Sequence, residues 1–245
     1  MDIIIIGIIA VFFAAFLQAC LGFGFGMISV PPLLLVLTAS EVVPMQISLS
    51  YLLTVPLAWQ VRDQFKPRLV VPLLAGAVFG FPLGMKVLEY FDGPHLKVVV
   101  GLILVGVALA LLSGWARPVK NQTAALVPIG FLSGLMQTTT SMGAPPIILF
   151  LTNQNMDKDQ FRSNILIYFS FLSTFTCASF AYQGAFTQPV LHRMLIFSVS
   201  LIAGGVLGAK LTNKVPQEMF RKVVLVTAAV MGFLLFLRNA ISLGG

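Results

Sequence analysis

Residues 17–32 read Leu17-Gln18-Ala19-Cys20-Leu21-Gly22-Phe23-Gly24-Phe25-Gly26-Met27-Ile28-Ser29-Val30-Pro31-Pro32. Three alternating glycines, a poor fit to a helix interior, fall in the middle of an apolar run that extends over residues 3–38. As one continuous helix, those 36 residues would reach about 54 Å, against a hydrocarbon core of about 30 Å. Two full crossings need about 40 residues. The run therefore predicts a re-entrant hairpin: two short half-helices that enter and leave by one face of a membrane. Irregular backbone at membrane depth is tolerated where protein or a water-filled cavity surrounds it.

A second apolar run, residues 124–152, is broken in the same way at Gln137-Thr138-Thr139-Thr140-Ser141-Met142-Gly143. Six other apolar segments read as plain spans: residues 42–59, 69–88, 96–115, 165–181, 194–211 and 223–237. The composition agrees, with 58% hydrophobic and 9% charged residues, where a soluble domain carries roughly a quarter charged. The net charge of +7 does not imply nucleic acid, because the basic residues are spread over short connections and form no basic face. Met1-Asp2-Ile3 lacks the basic start of a cleavable signal peptide. Leu17-Gln18-Ala19-Cys20 loosely resembles a lipoprotein cleavage site, and the same lack argues against it. Cys20 and Cys177 lie in apolar segments and read as packed thiols, with no disulfide and no metal site.

The chain repeats itself. Pro31-Pro32-Leu33-Leu34-Leu35 is echoed 114 residues on by Pro145-Pro146-Ile147-Ile148-Leu149. The glycine-rich stretch Gly80 to Lys86 returns after 124 residues as Gly204 to Lys210, and Lys97-Val98-Val99 after 125 as Lys222-Val223-Val224. The expected fold is all-α, a single transmembrane domain over residues 1–245 built of two inverted repeats, approximately 1–118 and 119–245. Each repeat is an interrupted hairpin followed by three transmembrane helices, an architecture familiar among secondary transporters.

Charge discriminates between topologies. If both broken runs cross fully, the fifteen Lys and Arg residues split seven to eight. If both are hairpins, one side gathers Arg62, Lys66, Arg68, Arg117, Lys120, Lys158, Arg162, Lys210, Lys214, Arg221 and Lys222, leaving Lys86, Lys97, Arg193 and Arg238 opposite. Eleven against four is a positive-inside bias, and it places both termini outside. Trp59 and Trp115 end spans on the basic side, where indoles favour the interface.

In this arrangement the tips, Gly22 to Gly26 and Gln137 to Gly143, approach each other near mid-membrane. Half-helices leaving them near Met27 and Ala144 point their positive ends at the space between, a setting for an anion. The candidate substrate-binding residues are Gln18, Gly22, Gly24, Gly26, Gln137, Thr138, Thr139, Thr140, Ser141, Gly143 and Arg162. Glycine admits close backbone approach, and the amide and hydroxyl side chains supply donors. Arg162 either reaches the anion or snorkels to the interface, and Lys86 and Lys210 pose the same choice. Gly76, Gly80, Gly84, Gly204 and Gly208 read as helix-packing positions, and the two proline pairs as scaffold just inside the exiting half-helices. All eight carboxylates and both histidines lie at or near segment ends, so no proton relay, catalytic residue, metal or cofactor is expected.

Gly22-Phe23-Gly24-Phe25-Gly26 with Pro31-Pro32, and Gly130-Phe131-Leu132-Ser133-Gly134 followed by Gly143-Ala144-Pro145-Pro146, resemble the sulfite exporter TauE/SafE family, also known as the toluene sulfonate uptake permeases. The likeness extends over nearly the whole chain. It implies a permease of the bacterial cytoplasmic membrane that moves sulfite, sulfoacetate or related organosulfonate anions, commonly outward, and it alone suggests a homodimer. Partners are then a small sulfur-containing anion and membrane lipid, with no nucleic acid. Thr138-Thr139-Thr140-Ser141 departs from the family's more glycine-rich second motif and leaves the choice among these anions open. A passive anion channel of the same fold and a non-transporting membrane assembly subunit are the alternatives.

Overall fold

The computed structural model describes residues 2–90, 122–151 and 158–212. Within them the chain forms α1 (Asp2–Leu21), α2 (Phe25–Leu34), α3 (Ala39–Val61), a 3-10 turn (Arg62–Gln64), α4 (Pro67–Tyr90), α5 (Gln122–Thr140), α6 (Ala144–Leu151), α7 (Lys158–Tyr182) and α8 (Gln188–Leu211). Five of these helices are long and apolar enough to cross a membrane. The plain spans expected at residues 42–59, 69–88, 165–181 and 194–211 are α3, α4, α7 and α8. Those expected at 96–115 and 223–237, and the repeat of Lys97-Val98-Val99, lie outside the described residues.

Both broken runs are broken, each over three residues: 22–24 and 141–143. The breaks are narrower than expected. Gly26 already lies in α2, and Gln137 to Thr140 form the last turn of α5. The legs are also unequal. α2 and α6 have 10 and 8 residues, but α1 has 20, about 30 Å at helical rise, because nothing between Ile3 and Leu21 interrupts a helix. The proline pairs are not equivalent either. Pro145 and Pro146 open α6, whereas Pro31 and Pro32 fall in the second half of α2.

α4 lies along α5, and α8 along α1, in parallel. A methyl group added at Gly76 or Gly80 would overlap the carbonyls of Val127 or Phe131, and one at Gly204 or Gly208 those of Phe12 or Phe16. Gly130 and Gly134 answer from α5 against Leu73 and Ala77. These glycines let backbones meet closely, the packing expected of helices in lipid. Phe79, Leu195, Val199 and Ile202 remain exposed on the outer faces of α4 and α8, a surface suited to acyl chains.

Side-chain bonds identify the two ends of the bundle. At one end Arg193 Nη1 pairs with Glu41 Oε1 at 2.6 Å, joining the starts of α8 and α3, and Gly7 near the start of α1 abuts Phe197. At the other end Ser163 Oγ donates to the Val61 carbonyl at 2.6 Å, and Asn164 Oδ1 accepts from the Lys66 amide at 2.8 Å. α1 and α3 thus both start at the Glu41 end, while α5 and α7 both start at the Lys66 end. α3 opens on a capping box between Thr38 and Glu41, which fixes where α2 hands over to it.

Candidate functional site

The two breaks meet. A Cβ at Gly26 would overlap the Ser141 carbonyl oxygen, so only glycine lets α2 begin against the second break. Gly22 (φ 89°), Gly24 (φ 100°) and Ser141 (φ 58°) adopt the left-handed region, which glycine enters freely and serine at a cost of roughly 1–2 kcal/mol. Gly22 and Gly24 correspond by position to Ser141 and Gly143, each 119 residues apart. Gln18 and Gln137 stand at the same spacing, so each leg ends on a buried glutamine followed by a left-handed turn.

A cavity of about 30 Å³ sits between the breaks, lined by Gln18, residues 22–27, Ser50, Gln137, residues 141–144 and Phe169. That is room for about one water molecule. Ser50 is the twelfth of the 23 residues of α3, and Phe169 the twelfth of the 25 of α7, so the cavity lies midway along the two long helices. None of its lining residues is ionisable.

Hydrogen bonds hold the glutamines in place. Gln18 Nε2 donates to Thr54 Oγ1 at 2.6 Å, Gln18 Oε1 accepts from Ser50 Oγ at 3.2 Å, and Thr54 Oγ1 donates to the Ser50 carbonyl at 2.6 Å. On the other side Gln137 Oε1 accepts from the Gly143 amide at 3.0 Å, and Ser133 Oγ donates to the Gly143 carbonyl at 2.6 Å.

The backbone donors are unequally shared. α2 has Gly24 as its N-cap with no side-chain cap bond, so its first-turn amides at Phe25, Gly26 and Met27 have no intrahelical acceptor. α6 offers less than expected. Pro145 and Pro146 have no N–H, and the Gly143 amide is already bonded to Gln137.

Of the candidate residues, Gln18, Gly22, Gly24, Gly26, Gln137, Ser141 and Gly143 line the cavity. Thr138, Thr139 and Thr140 do not. Their hydroxyls donate to the carbonyls of Gly134, Leu135 and Met136 at 2.6, 2.8 and 2.7 Å, because α5 continues through them and each finds its acceptor one turn back. Arg162 packs against Gly22 but does not line the cavity. Its Nη2 donates to the Ala19 carbonyl at 2.8 Å, completing the C-terminal turn of α1, where a cation complements the helix dipole. Lys86 and Lys210 are exposed.

Sequence reasoning missed Ser50 and Thr54, single hydroxyl residues inside a plain-looking span. Their four-residue spacing, which places both on one helix face, is the signal that was available. It also missed Phe169, which lipid-facing phenylalanines resemble in sequence. The Cys20 thiol donates to the Gly208 carbonyl at 3.2 Å, and Cys177 Sγ lies 3.5 Å from Ser48 Oγ.

A model of the family described as Sulfite exporter TauE/SafE matches residues 7–235 of this chain. No curated protein and no solved structure matches it.

Proposed function

The chain belongs to the sulfite exporter TauE/SafE family, and from that premise we propose that it carries sulfite or an organosulfonate such as sulfoacetate across the bilayer by alternating access. Membership makes it a multi-pass membrane transporter of the sulfite and sulfonate type, and not an enzyme. The anion would bind between the two breaks, which act as re-entrant tips.

The observation that carries this reading is the uncapped start of α2, facing a cavity midway along the long helices. Buried amides without acceptors are costly in lipid, and an oxyanion there would supply acceptors to Phe25, Gly26 and Met27 while meeting the positive end of the helix dipole. A neutral lining suits an anion that must leave again, since no buried counter-charge traps it. Gln18, Gln137, Ser50 and Ser141 add side-chain groups around the same point.

Three relationships support inverted hairpins and alternating access. α1 and α3 start at one end and α5 and α7 at the other, as two hairpins entering from opposite faces require. The described basic residues gather at the Lys66 end, which the positive-inside rule makes cytoplasmic; the first residues then face outward. The cavity has room for about one water molecule, and parting of the tips would admit a larger anion.

Proteoliposomes containing the full chain test the proposal through flux of sulfite, sulfoacetate and thiosulfate. Saturable movement of at least one supports it. Flux that never saturates would indicate a channel, and no movement of any would remove the reading.

A further inference from the structure

Gln46 is a buried polar side chain that the cavity does not account for. It lies one helical turn before Ser50 on α3 and two before Thr54, so the three side chains share one face at intervals of about 6 Å. Ser50 and Thr54 are satisfied through Gln18. Gln46 is fully buried, and neither its Nε2 nor its Oε1 has a hydrogen-bond partner. An amide offers two donors and an acceptor, and buried side chains of this kind are rarely left without partners. Val42, Val43, Met45, Ile47 and Leu49, close to it on the same helix, are apolar and equally buried. An apolar side chain at position 46 would leave no buried polar atom there without a partner.

From this we infer that Gln46 is a second station for the transported anion, on the route from the cavity to the Glu41 end of the bundle. The inference rests on the transport reading above. Its amide hydrogens meet the anion's oxygens and its carbonyl meets the accompanying water as the solute passes from Ser50 along the face that carries Gln46. Gln46 lies on the Glu41 side of Ser50, the side proposed to face outward, so a solute leaving the cavity outward passes it next.

Cysteine accessibility in proteoliposomes tests this. Gln46→Cys, Ser50→Cys and Ile47→Cys are each exposed to the sulfonate-bearing reagent methanethiosulfonate ethylsulfonate, and modification is read at each position by mass spectrometry, which separates it from Cys20 and Cys177. Gln46→Cys should react at least about tenfold faster than Ile47→Cys, since thiol reactivity follows access, and ethanesulfonate should slow it. Modification of Ser50→Cys but not Gln46→Cys would overturn the inference and leave the transport reading standing. Reaction of neither would count against both, and equal reaction of Ile47→Cys would overturn the station. Gln46→Leu supplies the functional arm. It should keep or raise the unfolding temperature, because it removes an unsatisfied buried group, while sulfite flux falls about tenfold, the scale of one lost hydrogen-bonding group. Unchanged flux, or a protein that no longer folds, would show that Gln46 serves packing alone.

Discussion

The backbone of Gly26 rests directly against the carbonyl of Ser141, although 115 residues separate them in the chain. This contact joins the start of α2 to the second break, and it makes the space between the two breaks a single site.

Two glycine substitutions separate contact from conformation. Gly26→Ala places a methyl group on the Ser141 carbonyl, so the breaks must move apart and sulfite flux should fall by more than about tenfold, an effect of over 1.4 kcal/mol. Gly24→Ala meets nothing within 4 Å and suffers only its left-handed backbone, about 1–2 kcal/mol. It should lower the unfolding temperature and retain flux in the folded fraction. Equal flux in both variants would show that the Gly26 contact does not matter.

The last turn of α5 should divide sharply by side chain. Thr139→Val keeps shape and removes a hydroxyl already committed to Leu135, so its flux should stay within about twofold of the parent, because no contact to the solute is lost. Gln137→Leu removes the acceptor of the Gly143 amide and exposes that buried donor at a cost of about 1–3 kcal/mol. Both stability and flux should drop. A larger loss from Thr139→Val than from Gln137→Leu would contradict the placement of these side chains.

Arg162 is expected to act on the fold and not on the solute. Arg162→Ala abolishes the bond to the Ala19 carbonyl and should lower stability by about 1.5–3 kcal/mol, the range for a hydrogen bond to a charged group. KM for sulfite should change less than about twofold, since no ground-state contact to the anion is lost. A large rise in KM with unchanged unfolding temperature would return Arg162 to the binding site.

Topology can be read by labelling single cysteines in intact cells with an impermeant maleimide. Cysteines at Asp2 and Ser40 should label from the same side, the end carrying Glu41 and Arg193, and cysteines at Lys66 and Asp159 from the opposite one. Labelling of Asp2→Cys and Ser40→Cys from different sides would rule out the first hairpin.

Much of this protein was legible from local chemistry. Apolar runs whose glycines do not alternate residue by residue continue as long helices, so α3, α4, α7 and α8 cover the expected spans. Left-handed backbone favours glycine, so Gly22 and Gly24 announced the first break, and the small residues at Gly80, Gly84, Gly204 and Gly208 announced close helix contacts. Those signals depend on a residue and its immediate neighbours, and the sequence carries them in full. Which side chains face the cavity depends on how helices distant in sequence come together. Thr138, Thr139 and Thr140 look like ligands in the sequence, but α5 continues far enough for each to find a carbonyl one turn back. Ser50 and Gln46 look like incidental polar residues in a span until α1 packs against α3 and sets Gln18 beside Ser50. Arg162 was free to point at solute or lipid until the end of α1 arrived beside it with a carbonyl that has no donor within its own helix. Such choices are made by packing between segments far apart in the chain, and only the assembled bundle decides them.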